Sequence, residues 1–198
     1  KGKKKKVVVV GAGPAGLQCA LVAAQRGHEV SLFEKKEALG GNILLASRID
    51  EGAIELLRPI NTLETLCRKN GVTIHLGAEV VPEIISKENA DTIVIATGAR
   101  INTLNSNVPI LTPHDIIEKS VVPGKKVVIL GGGGVGIAVA VFLLRHGDHE
   151  ISIIEESSII GRDVNPFYLW QYMRLLKKHK VIFFTQTHVE KIDENNMW

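Results

Sequence analysis

One arrangement, a short β-branched run followed by Gly-x-Gly-x-x-Gly and an apolar stretch, occurs twice in this chain of 198 residues. The first copy reads KVVVV (6–10) and then Gly11-Ala12-Gly13-Pro14-Ala15-Gly16. The second reads KVVIL (126–130) and then Gly131-Gly132-Gly133-Gly134-Val135-Gly136. Gly11, Gly13, Gly16 and Gly27 recur as Gly131, Gly133, Gly136 and Gly147, each 120 residues on. After one inserted residue, Glu34 at the end of EVSLFE matches Glu155 at the end of EISIIE. Gly40 in ALGG then matches Gly161 in IIGR, both at a separation of 121. Repetition on this scale means two homologous domains, and the length allows two small ones.

Each copy reads the same way locally. A continuous Val/Ile run bounded by charge and glycine predicts a strand buried on both faces of a parallel sheet. The stretch from Pro14 to Arg26 predicts a helix, with Gly27 placed as a left-handed cap. A second strand over Val30–Phe33 ends at Glu34. The second copy predicts strand 127–130, a helix through Arg145 and strand 151–154. Beyond Glu34, the helix formers of Glu51–Asn70 are interrupted by Pro59, and VTIHL (72–76) is a further strand. Glu79–Val81 is expected to start a β-meander, and Thr92–Ala96 to form the last strand of the copy. Residues 100–122, with three prolines at or just beyond them, read as connection, with one helical turn at Asp115–Lys119. In the second copy Asn165-Pro166 starts a helix running to about Lys180, and strands follow at 181–184 and 189–192. No counterpart of DTIVIATG follows, so the second domain is expected to be incomplete in this chain.

The expected class is therefore α/β: two Rossmann-like three-layer domains with parallel sheets. The expected bounds are 1–103 and 125–198, with a linker at 104–124. A hydrophobic share of 45% is ample for such cores and excludes global disorder. A net charge of +3, much of it in Lys3–Lys6, is too small to suggest a nucleic-acid partner, and that run reads as a solvated linker. No apolar stretch approaches a membrane span, so a cytoplasmic location is the default expectation. Two cysteines, Cys19 and Cys67, make neither a disulfide framework nor a CxxC pair, and both read as packing residues. The seven histidines are scattered without metal-ligand spacing, and no metal site is expected.

Strand, glycine loop, helix, strand and acid in that order have a specific use. The first glycine allows the turn out of the strand, the second lets backbone approach a pyrophosphate, and the third lets the helix pack on the sheet. The pyrophosphate then meets free N–H groups and the positive end of the helix dipole. Glu34 and Glu155, 18 and 19 residues beyond the third glycines, stand where an acid accepts ribose hydroxyls. These residues do not separate flavin from nicotinamide.

GAGPAG with Glu34, the Gly40-Gly41 pair and IVIATGAR (93–100) resemble the two-dinucleotide-binding flavoproteins. More narrowly, PGKKVVILGGGGVGI and IGRD resemble the C-terminal half of the 2,4-dienoyl-CoA reductase, trimethylamine dehydrogenase and enoate reductase group. The resemblance implies that the second domain is inserted into the first. It implies that Gly11, Gly13, Pro14, Ala15 and Gly16 line an FAD pyrophosphate, and that Glu34, with Lys35 nearby, meets its ribose. Gly40, Gly41 and Asn42 would continue that site, Val80 would offer backbone to the adenine, and Ala96, Thr97 and Gly98 would pass beside the cofactor. Gly131, Gly133, Gly134, Val135 and Gly136 would hold an NAD(P) pyrophosphate and Glu155 its ribose. A carboxylate at that position favours NAD(H) over NADP(H), although Arg162 and Glu156 lie close by.

The implied activity is hydride transfer from NAD(P)H to FAD, feeding reduction of an activated alkene or oxidation of an amine in an old-yellow-enzyme-type barrel. That barrel, with its FMN and iron–sulfur cluster, is not in this sequence. No acid, base or nucleophile is assigned here, because the flavin accepts the hydride. Two alternatives remain at this point: a non-catalytic ADP-binding module, and an electron-input protein like the glutamate synthase small subunit. The aromatic group Phe167, Tyr168, Trp170 and Tyr172 reads either as a docking face for the barrel or as local core, and an oligomer is left open.

Overall fold

The computed structural model describes residues 3–99, 101 and 106–192. They fall into two compact units, divided between residues 100 and 101. In the first unit, β1 (Lys6–Val10), β2 (Glu29–Phe33), β3 (Thr73–His75) and β4 (Thr92–Ile95) form a sheet in the order β3-β2-β1-β4. All its pairings are parallel, with Val8 opposite both Ser31 and Ile93. The helices are α1 (Pro14–Gln25), α2 (Asn42–Ala46), α3 (Leu57–Lys69) and α4 (Pro82–Glu88), with a 3₁₀ segment at Glu51–Leu56.

Side-chain alternation explains the layers. Val7, Val9, Val30 and Leu32 point to one face and share a core with Leu17, Ala20 and Leu21 of α1 and Ile60 and Cys67 of α3. Ser31 points to the other face, where its hydroxyl donates to Glu88 of α4 at 3.4 Å, and Lys6 pairs with the same carboxylate at 3.2 Å. The first unit is thus helix, sheet, helix.

The second unit holds β5 (Lys126–Leu130), α5 (Gly134–His146), β6 (Glu150–Ile154), α6 (Pro166–Lys178) and β7 (Ile182–Phe184). Its sheet is parallel in the order β5-β6-β7. Ile137, Val139, Ala140, Val141 and Leu143 of α5 are buried, as are Ile129, Ile151, Ile153 and Leu176. No helix among the described residues is long and apolar enough to cross a membrane.

Several local expectations are corrected. Glu79–Val81 starts no meander; α4 begins at Pro82, whose missing N–H suits a first helical turn and would leave a gap in a sheet ladder. The helix predicted over Glu51–Asn70 is a 3₁₀ segment and then α3, with Pro59 in the first turn, where its absent donor costs nothing. Gly27 takes the left-handed conformation (φ 89°). Gly147 is extended, at φ −168°. Residues 189–192 form no regular strand, and Ile192 makes only an isolated bridge to Ser106. Within the stretch read as linker, His114–Glu118 is a π-helical turn that buries Ile116 and Ile117. Asn165 caps α6 as expected, its Oδ1 accepting from the Phe167 N–H at 3.0 Å. Phe167, Tyr168 and Trp170 are all exposed.

Cys67 is fully buried, its thiol facing the Leu17 carbonyl at 3.4 Å. Burial, with Glu64 adding to it, pushes this thiol above its ordinary pKa. In the native protein at neutral pH, alkylation should therefore spare Cys67 and reach Cys19 first. Mass mapping of labelled peptides checks this, and Cys67 labelling as fast as in denaturant would contradict the packing.

Candidate functional site

The residues picked out from the first copy gather at the C-terminal ends of β1, β2 and β4, the end at which open parallel sheets bind ligands. Gly11 leaves β1 at φ 100°, and its N–H donates to the Phe33 carbonyl at 2.8 Å. A Cβ on Gly11 would run into the Ala96 carbonyl, and one on Gly16 into the Gly11 carbonyl oxygen. Gly13 faces open space, with nothing within 4 Å of where a Cβ would stand. Those contacts are the cradle the motif requires: two glycines for close packing and one for access.

Glu34 closes the loop. Its carboxylate is buried, with Oε2 accepting from the Ala12 N–H at 2.8 Å and Oε1 from the Lys36 N–H at 3.0 Å. Each oxygen keeps lone-pair capacity for a ribose hydroxyl. Gly40 donates to the Ala12 carbonyl at 2.9 Å, and Gly41 (φ 54°) would place a Cβ 3.2 Å from the Gly13 Cα. The Gly40-Gly41-Asn42 segment is thereby drawn against the glycine loop. Ala78 donates to the Glu34 carbonyl at 2.9 Å, just past the end of β2, and Val80 follows two residues later. Ala96 donates to the Val10 carbonyl at 2.8 Å, with Thr97 and Gly98 following. Lys35 is exposed beside Glu34, and Pro14 and Ala15 are exposed at the start of α1.

The second copy repeats the bonds of the glycine loop and its acid, and has no counterpart of the Ala96 bond among the described residues. Gly131 (φ 100°) donates to the Ile154 carbonyl at 2.8 Å, and Gly161 to the Gly132 carbonyl at 2.7 Å. Glu155 accepts from the Gly132 N–H at 2.7 Å and from the Ser157 N–H at 2.8 Å. The Ser157 N–H and hydroxyl, and then the Gly132 N–H, hold the Glu155 carboxyl below the usual pKa of its type. Gly131, Gly133, Gly134, Val135 and Gly136 border a cavity of about 570 Å³ within this unit, lined also by Val108, Leu111 and Ile116.

Two features went unread in the sequence. The carboxylates tie their own glycine loops through Ala12 and Gly132, in addition to facing any ligand. Asp163 also reaches the second loop, its Oδ1 accepting from the Gly134 N–H at 2.9 Å. The repeat carried the signal for Asp163, because at the separation of 121 it matches Asn42, a candidate site residue of the first copy.

A family model described as pyridine nucleotide-disulphide oxidoreductase matches residues 5–197. The chain belongs to that family. It is 32% identical to a bilirubin reductase of Mediterraneibacter gnavus over 98% of this chain and 31% of that protein. It is 36% identical to a cinnamate reductase of Clostridium sporogenes over 76% of this chain and 23% of that protein. Among solved structures, a 2-naphthoyl-CoA reductase in complex with 2-naphthoyl-CoA superposes with a TM-score of 0.86 at 33% identity, over 98% of this chain and 30% of that one. The chain thus spans about a third or less of these relatives. It is a module of the enoate and dienoyl-CoA reductase type that its motifs resemble, and membership implies FAD and NAD(P)H as its dinucleotides. Despite the family's description, Cys19 and Cys67 are both free thiols.

Proposed function

We propose that the first glycine loop holds the ADP half of FAD and the second holds NAD(H). The chain would then be the electron-input part of an oxidoreductase that reduces an activated alkene in a separate old-yellow-enzyme-type barrel. On this reading residues 1–103 and 125–198 are the two binding domains. The observation that carries it is the duplicated cradle: Gly11, Gly16 and Glu34, then Gly131, Gly136 and Glu155, at the same ends of two parallel sheets.

The residues fit the groups. Gly13 and Gly133 carry no side chain at the start of α1 and α5, where the helix dipole favours a pyrophosphate. Glu34 and Glu155 are fixed by two backbone N–H groups each and present their remaining lone pairs to ribose hydroxyls. The negative charge of Glu155 disfavours a 2′-phosphate, which supports NAD(H) over NADP(H). Bound FAD would supply the hydride-accepting ring. The chain's own part is to bind and orient both dinucleotides.

The test is cofactor content followed by reduction. Purified protein reconstituted with FAD should retain flavin through gel filtration and release it on acid treatment. Anaerobic NADH should then bleach the flavin band faster than NADPH does. ADP bound tightly with no bleaching by either nucleotide would replace this reading with that of a nucleotide-binding module.

A further inference from the structure

The two loops are alike in almost every bond, and they differ at one donor and one charge. At the start of α5 the Gly134 N–H, one of the donors a helix leaves free, is already taken by Asp163 at 2.9 Å. Both carboxylate oxygens lie over the loop. A Cβ on Gly133 would stand 3.2 and 3.4 Å from them, and the Val164 side chain would stand 3.2 Å from a Cβ on Gly134. The carboxylate therefore occupies the space above Gly133 and Gly134 and satisfies the positive helix end, as a phosphate oxygen does. Its backbone is pinned nearby, since Val164 donates to the Gly161 carbonyl at 2.9 Å and Gly161 donates to Gly132. Its side chain is exposed and has solvent to swing into.

The first loop has neither feature. Pro14 stands where Gly134 stands, with no N–H to offer. The residue matching Asp163 is the neutral Asn42.

We propose that Asp163 is a built-in competitor for the pyrophosphate at the second loop. It weakens the binding of the dinucleotide there, while the first loop has no such competitor. This rests on the reading that the second loop binds a dinucleotide. A nucleotide entering the second site must displace the carboxylate from the Gly134 N–H and move its negative charge away from the incoming phosphates.

The experiment is titration calorimetry of ADP-ribose into the full chain with FAD saturating, for wild type, Asp163→Ala and Asp163→Asn. Asp163→Ala should bind about tenfold more tightly. Asp163→Asn, which keeps an acceptor for Gly134 but loses the charge, should fall between. FAD affinity should stay unchanged in both. If Asp163→Ala fails to fold, the isosteric Asn variant decides alone. Wild-type binding with equal or weaker affinity in the folded variants overturns the proposal and leaves the dinucleotide reading intact. No ADP-ribose binding by any of the three proteins overturns both.

Discussion

Replacing Gly16 by alanine should cost about 3 kcal/mol and lower the midpoint of thermal unfolding by about 12 °C or more, at the severe end of overpacking. The added methyl would fall inside contact distance of the Gly11 carbonyl oxygen, 3.0 Å from the Gly11 carbonyl carbon and 3.4 Å from the Ala96 Cβ. The first two atoms are backbone and cannot rotate away. Gly11 is also held from behind by its bond to Phe33. Relief requires α1 to lift from the sheet, which opens the core around Leu17 and Ala20 and spoils the cradle, so FAD retention should be lost with stability. Gly136→Ala meets the same obstacle at Gly131, with Ile129 Cγ2 at 3.3 Å, and should behave alike. Gly11 and Gly131 should differ. Both have φ near 100°, but only Gly11 would strike the Ala96 carbonyl, so alanine should harm the first loop more than the second. Differential scanning calorimetry of the four variants reads this ordering, and a Gly16→Ala protein with a wild-type midpoint would show that α1 does not approach the sheet so closely.

These glycines were legible because their spacing is dictated by backbone geometry, which recurs wherever a strand turns tightly into a helix. Strand and helix types followed for the same reason, since valine runs and the Pro14 and Asn165 starts are local signals. Where tertiary context decides, the sequence misled. Ile116 and Ile117 sit in a proline-punctuated stretch and look like connection, yet a π-helical turn puts both in the core of the second unit. Glu79–Val81 look like the start of a strand after VTIHL until Pro82 is given its helical role. The bonds from Glu34 to Ala12 and from Asp163 to Gly134 span 22 and 29 residues, and no local pattern reports them. Comparing the two copies position by position was the one route to Asp163. The exposure of Phe167, Tyr168 and Trp170 could not be decided from residue type, because α6 buries only Leu176 completely and turns those aromatics outward.

Glu34→Ala should also be strongly damaging. It strips the acceptor from the Ala12 N–H on a residue with no solvent exposure, and removes the bond from the Lys36 N–H to Oε1 as well. A buried donor left unsatisfied costs about 1–3 kcal/mol, so a loss near the top of that range is expected, with the loop freed from the end of β2. Glu34→Gln keeps one acceptor oxygen and should recover part of the stability. Its FAD affinity should fall less than that of the alanine variant, which separates holding the loop from meeting the ribose. At Glu155 the same arrangement adds a dependence on pH. Its carboxyl is held low by Ser157 and Gly132, so the folded state releases this proton more readily than the unfolded chain. The stabilisation is therefore complete above the unfolded pKa of about 4.3 and drains away as pH falls through the lower folded value. Glu155→Gln has nothing to titrate there. Its deficit in thermal midpoint against wild type should be fully present at neutral pH and shrink progressively below pH of about 4. A deficit that stayed constant into acid would mean that Ser157 and Gly132 bind the neutral carboxyl as well as the charged one, and that the loop is not held by charge.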